Sequence, residues 1–283
     1  MTMTVREHVA LAPHTTLDVG GPARLWIEAH TVEETREALA LAQQRSLPVV
    51  VLGGGSNVVI ADRGLDAVIL RPRLDDLHWR LEDEQLSIHA GAGVVWDDVV
   101  ELAVNHDAGG IECLAGIPGQ VGAAPIQNIG AYGQEVADSI SCVHTLDRRN
   151  GRQVPLSRQQ CAFGYRDSAF KSAAKDRYVV VGVELELRRG APPRATYPEL
   201  RRAVAQQTGS PTLATVRDAV VALRRTKSML VDEADDNRRS AGSFFVNPTL
   251  TTAAFAELSA RATATPGPAP SVPHHPVGDT KVK

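Results

Sequence analysis

Four short segments concentrate the residue types that hold anions, lie against flat ligands or move protons. The first is VVVLGGGSNVVI, where Gly53, Gly54 and Gly55 close an apolar run and Ser56 and Asn57 follow. Glycines let backbone N–H groups come close to a phosphate, and the hydroxyl and amide can add donors. The spacing is neither G-x-G-x-x-G nor G-x-x-x-x-G-K-[ST], and a plain tight turn would have the same composition. The second is GIPGQVGAAPIQNIGAYG. Gly116, Gly119, Gly122 and Gly130 alternate with small apolar residues such as Ile117 and Ala123, and Pro118 and Pro125 stiffen the path. Such a loop can lie flat on a large planar ligand, with Gln127 and Asn128 offering amide donors and acceptors. A buried packing loop is the alternative.

The third segment, GYRDSAFK, sets Arg166 among small polar groups. A guanidinium there can grip a carboxylate through two parallel hydrogen bonds, and a surface salt bridge is an equal reading. The fourth, RRSAGSFFVNP, puts Ser243 between Gly242 and Phe244-Phe245. These neighbours predict a semi-buried hydroxyl able to donate a proton in a dry pocket, provided its own proton is replaced. The segment lacks the G-x-S-x-G of a hydrolase nucleophile, and a capping or turn serine would look similar.

Recognisable elements must position these segments. Residues 24–60 read as a β-α-β unit: a strand at Leu25-Trp26-Ile27, a helix opened by the capping pair Thr31 and Glu34, and a buried strand from Leu47 to Leu52. The helix carries Ala38, Leu41 and Ala42 on one side. Strands are expected at Val68-Ile69-Leu70, Leu86-Ser87-Ile88, 139–147 and 178–188. A helix is expected from Trp96 to Asn105, with Val99, Val100, Leu102 and Ala103 inward. Another is expected over 212–226, with Val216, Ala219, Val220 and Leu223 inward. GAPPR at 190–194 marks the end of a lobe, and the Pro-rich stretch from Thr263 reads as irregular.

Bulk properties narrow the function. A net charge of −3 over 283 residues gives no basic footprint for nucleic acid, although Arg224, Arg225 and Lys227 could locally hold a diphosphate. Cys113, Cys142 and Cys161 have neither disulfide-framework nor metal-ligand spacing and read as idle thiols of a reducing compartment. The adjacent His274 and His275 lie in the Pro-rich stretch, an improbable metal site. There is no signal-peptide core and no apolar run of roughly 20 residues. The expectation is therefore a cytoplasmic protein with no membrane contact and no obligatory protein partner.

Taken in order, LGGGSNVVIAD, GIPGQVGAAPIQNIGAYGQE, YRDSAFK and RRSAGSFFVNP resemble the UDP-N-acetylenolpyruvoylglucosamine reductase family, from about residue 14 to about residue 250. The resemblance implies an α+β fold: a two-lobed FAD-binding domain of the vanillyl-alcohol-oxidase/PCMH type over 14–190, with lobes 14–75 and 76–190. A smaller α+β substrate domain follows over 191–283. It implies FAD and NADPH as cofactors and reduction of an enolpyruvyl ether on a UDP-sugar to a lactyl ether. Gly53 to Asn57, Gly116 to Gly119, Gly122, Ala123, Gln127, Asn128 and Gly130 would then hold FAD. Arg166 would stabilise the developing enolate, and Ser243 would protonate C2. Tyr132, Tyr197, Lys227 and Asn247 would hold the UDP-sugar. Gln120 departs from the small hydroxyl residue that the family pattern suggests, which removes one expected phosphate hydrogen bond.

The resemblance also implies a C-terminal catalytic glutamate well beyond the serine. After Ser243 the one glutamate is Glu257, in AAFAELSARA, with no matching motif around it. The expectation is a chain cut short within the substrate domain, and the competing reading is an inactive fragment that binds FAD or a UDP-sugar only. A related flavin oxidase would often attach its flavin through histidine, and neither GGGSN nor GIPGQVGAAP contains one.

Overall fold

The computed structural model describes residues 3–206, 209–243, 245–264, 272, 274, 276–277 and 280–282. Chain contacts divide it into two units, 1–242 and 243–283.

The larger unit begins with β1 (Thr4–Ala10), β2 (Pro22–Ala29), α1 (Val32–Gln44), β3 (Val49–Val51) and β4 (Leu65–Pro72). They make a four-stranded sheet of order β1-β2-β4-β3, with β2, β4 and β3 parallel. Thr31 caps α1 by accepting from the Glu34 N–H at 3.0 Å, while the Glu34 carboxylate accepts from His30 N–H at 2.7 Å, one residue earlier than a capping box requires. The buried face of α1 is Ala38, Leu39 and Ala42, so Leu39 takes the place expected of Leu41. β3 is not the buried strand its apolar run suggests. It is an edge strand, and Val50 and Val51 are 39% and 40% exposed.

β5 (Leu77–Glu82), β6 (Gln85–Gly91), α2 (Trp96–Asn105), β7 (Ala108–Gly109), β8 (Gly130–Ala131), β9 (Gln134–Glu135), β10 (Ile140–Asp147), β11 (Gln153–Ser157) and β12 (Tyr178–Arg189) follow. The second sheet runs β11-β10-β12-β6-β5 through antiparallel pairs, and β7 also pairs β12. α2 has the expected limits and buries Trp96, Val99, Val100 and Ala103. The Trp96 indole N–H donates to the Leu114 carbonyl at 3.0 Å, which anchors the glycine-rich loop to the helix.

Two helices complete this unit, α3 (Pro198–Ala205) and α4 (Leu213–Arg225). α4 buries Leu213, Val216, Ala219, Val220 and, in place of Leu223, Arg224. The smaller unit holds β13 (Leu250–Thr251), α5 (Thr252–Ala264), β14 (Pro276–Val277) and β15 (Lys281–Val282), the strands in order β13-β15-β14. Thr263 and Ala264 still belong to α5, so irregular chain does not begin at Thr263. Most of the Pro-rich stretch, with His275, lies outside the described residues. No described helix is long and apolar enough to cross a membrane.

A buried carboxylate ties the hairpin turn after β10 to the start of β12. Asp147 accepts from the Arg149 N–H at 2.9 Å and from Nε and Nη2 of Arg177 at 3.1 Å each. The Arg149 amide, chiefly, holds the Asp147 carboxyl below its ordinary pKa; burial opposes this and Arg177 reinforces it. The folded pKa is therefore lower than the unfolded one. The stabilisation is present above the unfolded pKa and is lost as pH falls through the folded value. Asp147→Asn is expected to lower the urea midpoint at neutral pH and to converge on the parent in acid. An unchanged gap at both pH values would contradict this assignment.

Candidate active site

The two glycine-rich loops meet. Ser56 Oγ donates to the Pro118 carbonyl at 2.9 Å, and a Cβ on Gly54 would come within 3.1 Å of Gly119 Cα. Gly55 has φ +68°, and a Cβ there would fall 2.0 Å from the His14 carbonyl oxygen, so this position requires glycine. Asn57 Nδ2 donates to the Ala241 carbonyl at 2.8 Å. The Ser56 hydroxyl and one of the two Asn57 N–H donors, expected to face a phosphate, are thus already used by protein carbonyls. The backbone supplies donors instead. Among the described residues, the N–H groups of residues 53–57 and of Gly119 and Gln120 meet no protein acceptor. Such amides are the donors that an anion-binding nest would use.

Beside this nest, a cleft of about 310 Å³ opens between the two sheets. Its walls include Val49, Val50 and Val51 of edge strand β3 on one side and Gly122, Ile126 and Tyr178 on the other. The apolar run of β3 is therefore the wall of a slot. Arg148 closes one end: its Nη2 donates to the Val49 carbonyl at 2.7 Å, and burial lowers its pKa. The cleft also receives Gln120. Its Nε2 donates to the Gly93 carbonyl at 2.9 Å, while its buried Oε1 has no partner among the described residues. A wider concavity of about 620 Å³ lies over the β5–β6 turn, but Glu82, Asp83, Glu84 and Arg188 line it. A flat apolar ring would gain little there, whereas the smaller slot would remove it from water.

Gly116 is gripped from both sides. Its N–H donates to Asp97 at 2.7 Å, and its carbonyl accepts from Arg224 Nε at 3.0 Å. Burial lowers the Arg224 pKa. Arg224, Arg225 and Lys227 do not form the single anion cluster their sequence suggests, because Arg224 points into the loop, Arg225 faces Asp232 at 4.0 Å and Lys227 pairs Glu199. Of the remaining loop residues, Ile117, Pro118 and Gln127 are half-buried and Ala123 is exposed to the cleft.

β8 and β9 form a hairpin whose two turn residues, Tyr132 (φ +49°) and Gly133 (φ +89°), are both left-handed, as a type I′ turn demands. Three residues singled out by chemistry share this conformation: Asn128 (φ +47°), Tyr132 and Arg166 (φ +52°). Each such non-glycine residue costs on the order of 1–3 kcal/mol. Asn128 is buried and turned inward, donating to Glu135 and the Gly164 carbonyl and accepting from Ala137 N–H. It positions rather than presents its amide. Arg166 donates to the Asn128 carbonyl at 3.1 Å and to the Gly130 carbonyl, and lies 3.8 Å from Glu135. Two of its five N–H donors are thereby occupied, and its side chain is 27% exposed, so others remain for an anion.

Tyr132 meets Tyr197 edge-on at 5.6 Å, and Lys227 Nζ lies 6.0 Å from the Tyr132 ring centre. Lys227 donates to Glu199 at 2.5 Å, which raises its pKa. Burial raises the Tyr132 pKa against the pull of Lys227 and Arg224. Two tyrosines, a lysine and a carboxylate at one place suit a polar ligand with a flat ring and a charged linker. The partners Glu135 and Glu199 escaped the sequence reading, although GAYGQE and ATYPEL contain them.

Ser243 and Asn247 belong to the smaller unit and are exposed. The semi-buried setting expected for Ser243 is absent: Phe245 is 84% exposed and does not enclose it, and Phe244 lies outside the described residues.

Residues 23–157 match the FAD binding domain family. The slot and nest fit that match, since an apolar wall suits a flat ring and unpaired amides suit a diphosphate. The chain is 41% identical over 286 residues to a UDP-N-acetylenolpyruvoylglucosamine reductase of Thermobifida fusca (strain YX), covering 100% of this chain and 80% of that protein. It is 46% identical over 273 residues to the one of Mycobacterium sp. (strain MCS), covering 95% and 74%. The crystal structure of UDP-N-acetylenolpyruvylglucosamine reductase (MurB) from Thermus caldophilus superposes with a TM-score of 0.62 at 27% identity, covering 87% of this chain and 76% of that one. Built on an α+β, FAD-binding fold of the vanillyl-alcohol-oxidase/PCMH type, the chain belongs to the UDP-N-acetylenolpyruvoylglucosamine reductase family.

Proposed function

We propose that this protein reduces the enolpyruvyl ether of a UDP-N-acetylglucosamine enolpyruvate to the lactyl ether of UDP-N-acetylmuramate. FAD would be its bound cofactor and NADPH its reductant, in the cytoplasmic synthesis of peptidoglycan precursors. The observation that carries the reading is the set of unpaired amides at 53–57 and 119–120 beside an apolar slot, in the same unit as Arg166 and the Tyr132, Tyr197 and Lys227 group.

FAD, when bound, supplies the hydride chemistry. The chain's own residues supply orientation, charge and a proton. The amides at 53–57 and 119–120 would receive the diphosphate, and the walls of β3 and of Gly122 to Ile126 would exclude water from a ring. Tyr132, Tyr197 and Lys227 would hold the UDP-sugar, joined by Asn247. Hydride arrival at C3 drives negative charge toward C2 and the carboxylate, where Arg166, preoriented by the carbonyls of Asn128 and Gly130, would stabilise it. Ser243 would then protonate C2 from one face, its own proton being restored from solvent.

Purified protein is expected to carry noncovalent FAD that acid releases. Gly55→Ala should abolish it, because the added methyl would fall on the His14 carbonyl. A folded Gly55→Ala protein with parental flavin absorbance would contradict the nest. Arg166→Lys keeps the charge and loses the planar fork. It is expected to lower kcat by about 10²–10³-fold with flavin content unchanged, as measured by steady-state NADPH oxidation. Ser243→Ala should leave the NADPH half-reaction untouched and slow the enolpyruvyl half-reaction by about 10²–10⁴-fold. Equal slowing of both in stopped-flow absorbance would assign Ser243 a structural role.

A further inference from the structure

We infer that His89, His144 and Glu184 form a binding site for a transition-metal dication of the zinc class, apart from the cleft described above. The three residues come from β6, β10 and β12, which lie side by side in the larger sheet. Register brings them together: Glu184 pairs with His89, and His144 pairs with Gly182, two residues along the middle strand. Alternation then puts all three side chains on one face. Their ligand atoms all lie within 4.8 Å of one another. His144 Nε2 is 2.7 Å from Glu184 Oε1, and His89 Nδ1 is 3.9 Å from the same oxygen. Bonds of about 2.0–2.1 Å to a tetrahedral zinc separate its N and O ligands by roughly 3.3 Å. The observed spacings bracket that value, so small side-chain rotations suffice.

A second observation sets this group apart from an ordinary surface ion pair. Asp76 Oδ2 lies 3.3 Å from His89 Nε2. A proton on Nε2, held by that carboxylate, leaves the lone pair on Nδ1, the nitrogen that faces Glu184. This carboxylate–histidine relay is the usual way in which a metal-binding imidazole is oriented and made more basic. Gly91 makes room for it, since a Cβ there would sit 2.4 Å from Asp76 Oδ1. The side chains are 33–44% exposed, so a hydrated cation can enter. Two imidazoles and a carboxylate suit zinc better than calcium or magnesium, which prefer all-oxygen ligands. To bind through Nε2, His144 carries no proton on that nitrogen, and water takes the fourth position. Asp76 lies in the segment joining β4 to β5, so the ion would fasten that connection to the sheet.

The test uses the full-length chain, treated with chelator and desalted, then titrated with Zn²⁺ by calorimetry and with Co²⁺ by visible absorption. One Zn²⁺ per chain is expected, and the double variant His89→Ala/His144→Ala should lose it. Glu184→Gln, close in shape to the parent, should weaken binding at least about tenfold, and Asp76→Asn by about 10–100-fold, with far-UV circular dichroism unchanged in both. Co²⁺ should give a visible band of low-coordinate type that the double variant lacks. No Zn²⁺ uptake by the parent, or equal uptake by parent and Glu184→Gln, would overturn the site. Full affinity in Asp76→Asn would overturn the relay.

Discussion

Backbone amides left without acceptors set the terms for much of this molecule. Where the loop after β3 doubles against the loop after α2, the N–H groups of residues 53–57, Gly119 and Gln120 have no protein partner among the described residues. Gly54 and Asn57 are exposed and only Gly55 is buried, so most of these donors can reach solvent or an incoming acceptor. The rest of the local construction keeps them unpaired. Gly55 fits only as glycine, Gly54 lies against Gly119, and Ser56 uses its hydroxyl to pin the second loop through Pro118. Behind that loop, Trp96, Asp97 and Arg224 hold Leu114 and Gly116 by their backbone groups. Donors placed this way are available to an anion.

The two sheets differ in what they contribute. The smaller supplies an edge: β3 is short, its valines face a slot, and Arg148 from the larger sheet covers one of its carbonyls. The larger supplies the frame from which the glycine-rich loop, the β8–β9 hairpin and the Arg166 turn project. Arg166 is held by loop carbonyls and by Glu135, so its direction depends on Asn128, which fastens the same loop from inside. Charge and conformation are thereby set by different residues within one small network.

Much of this was legible in the sequence. The long periodic elements were, because burial of one face leaves a pattern: α2 runs from Trp96 to Asn105 as its apolar spacing requires. Other features depend on neighbours that local pattern does not encode. β11 contains Pro155, which argues against a strand, yet it is tolerated because β11 is the edge of its sheet. The run Val49-Val50-Val51 reveals apolarity, not whether a neighbouring strand or a cleft faces it. Ser56, Asn57 and Asn128 have the right chemistry for ligand donors, and only the fold reveals the carbonyls that take those donors first. His89, His144 and Glu184 are far apart in sequence, and only sheet register joins them.

The left-handed backbone at Asn128, Tyr132 and Arg166 bears on how such a protein can adapt to heat. Glycine at any of the three would relax the main chain while loosening the unfolded chain. At Tyr132 and Arg166 it would also delete the aromatic ring or the guanidinium, and at Asn128 the bracket that aims Arg166. A glycine here therefore trades main-chain relief against those side chains. Stabilisation that keeps them has to come from other parts of the chain, such as helix caps, surface charge or the packing behind β12.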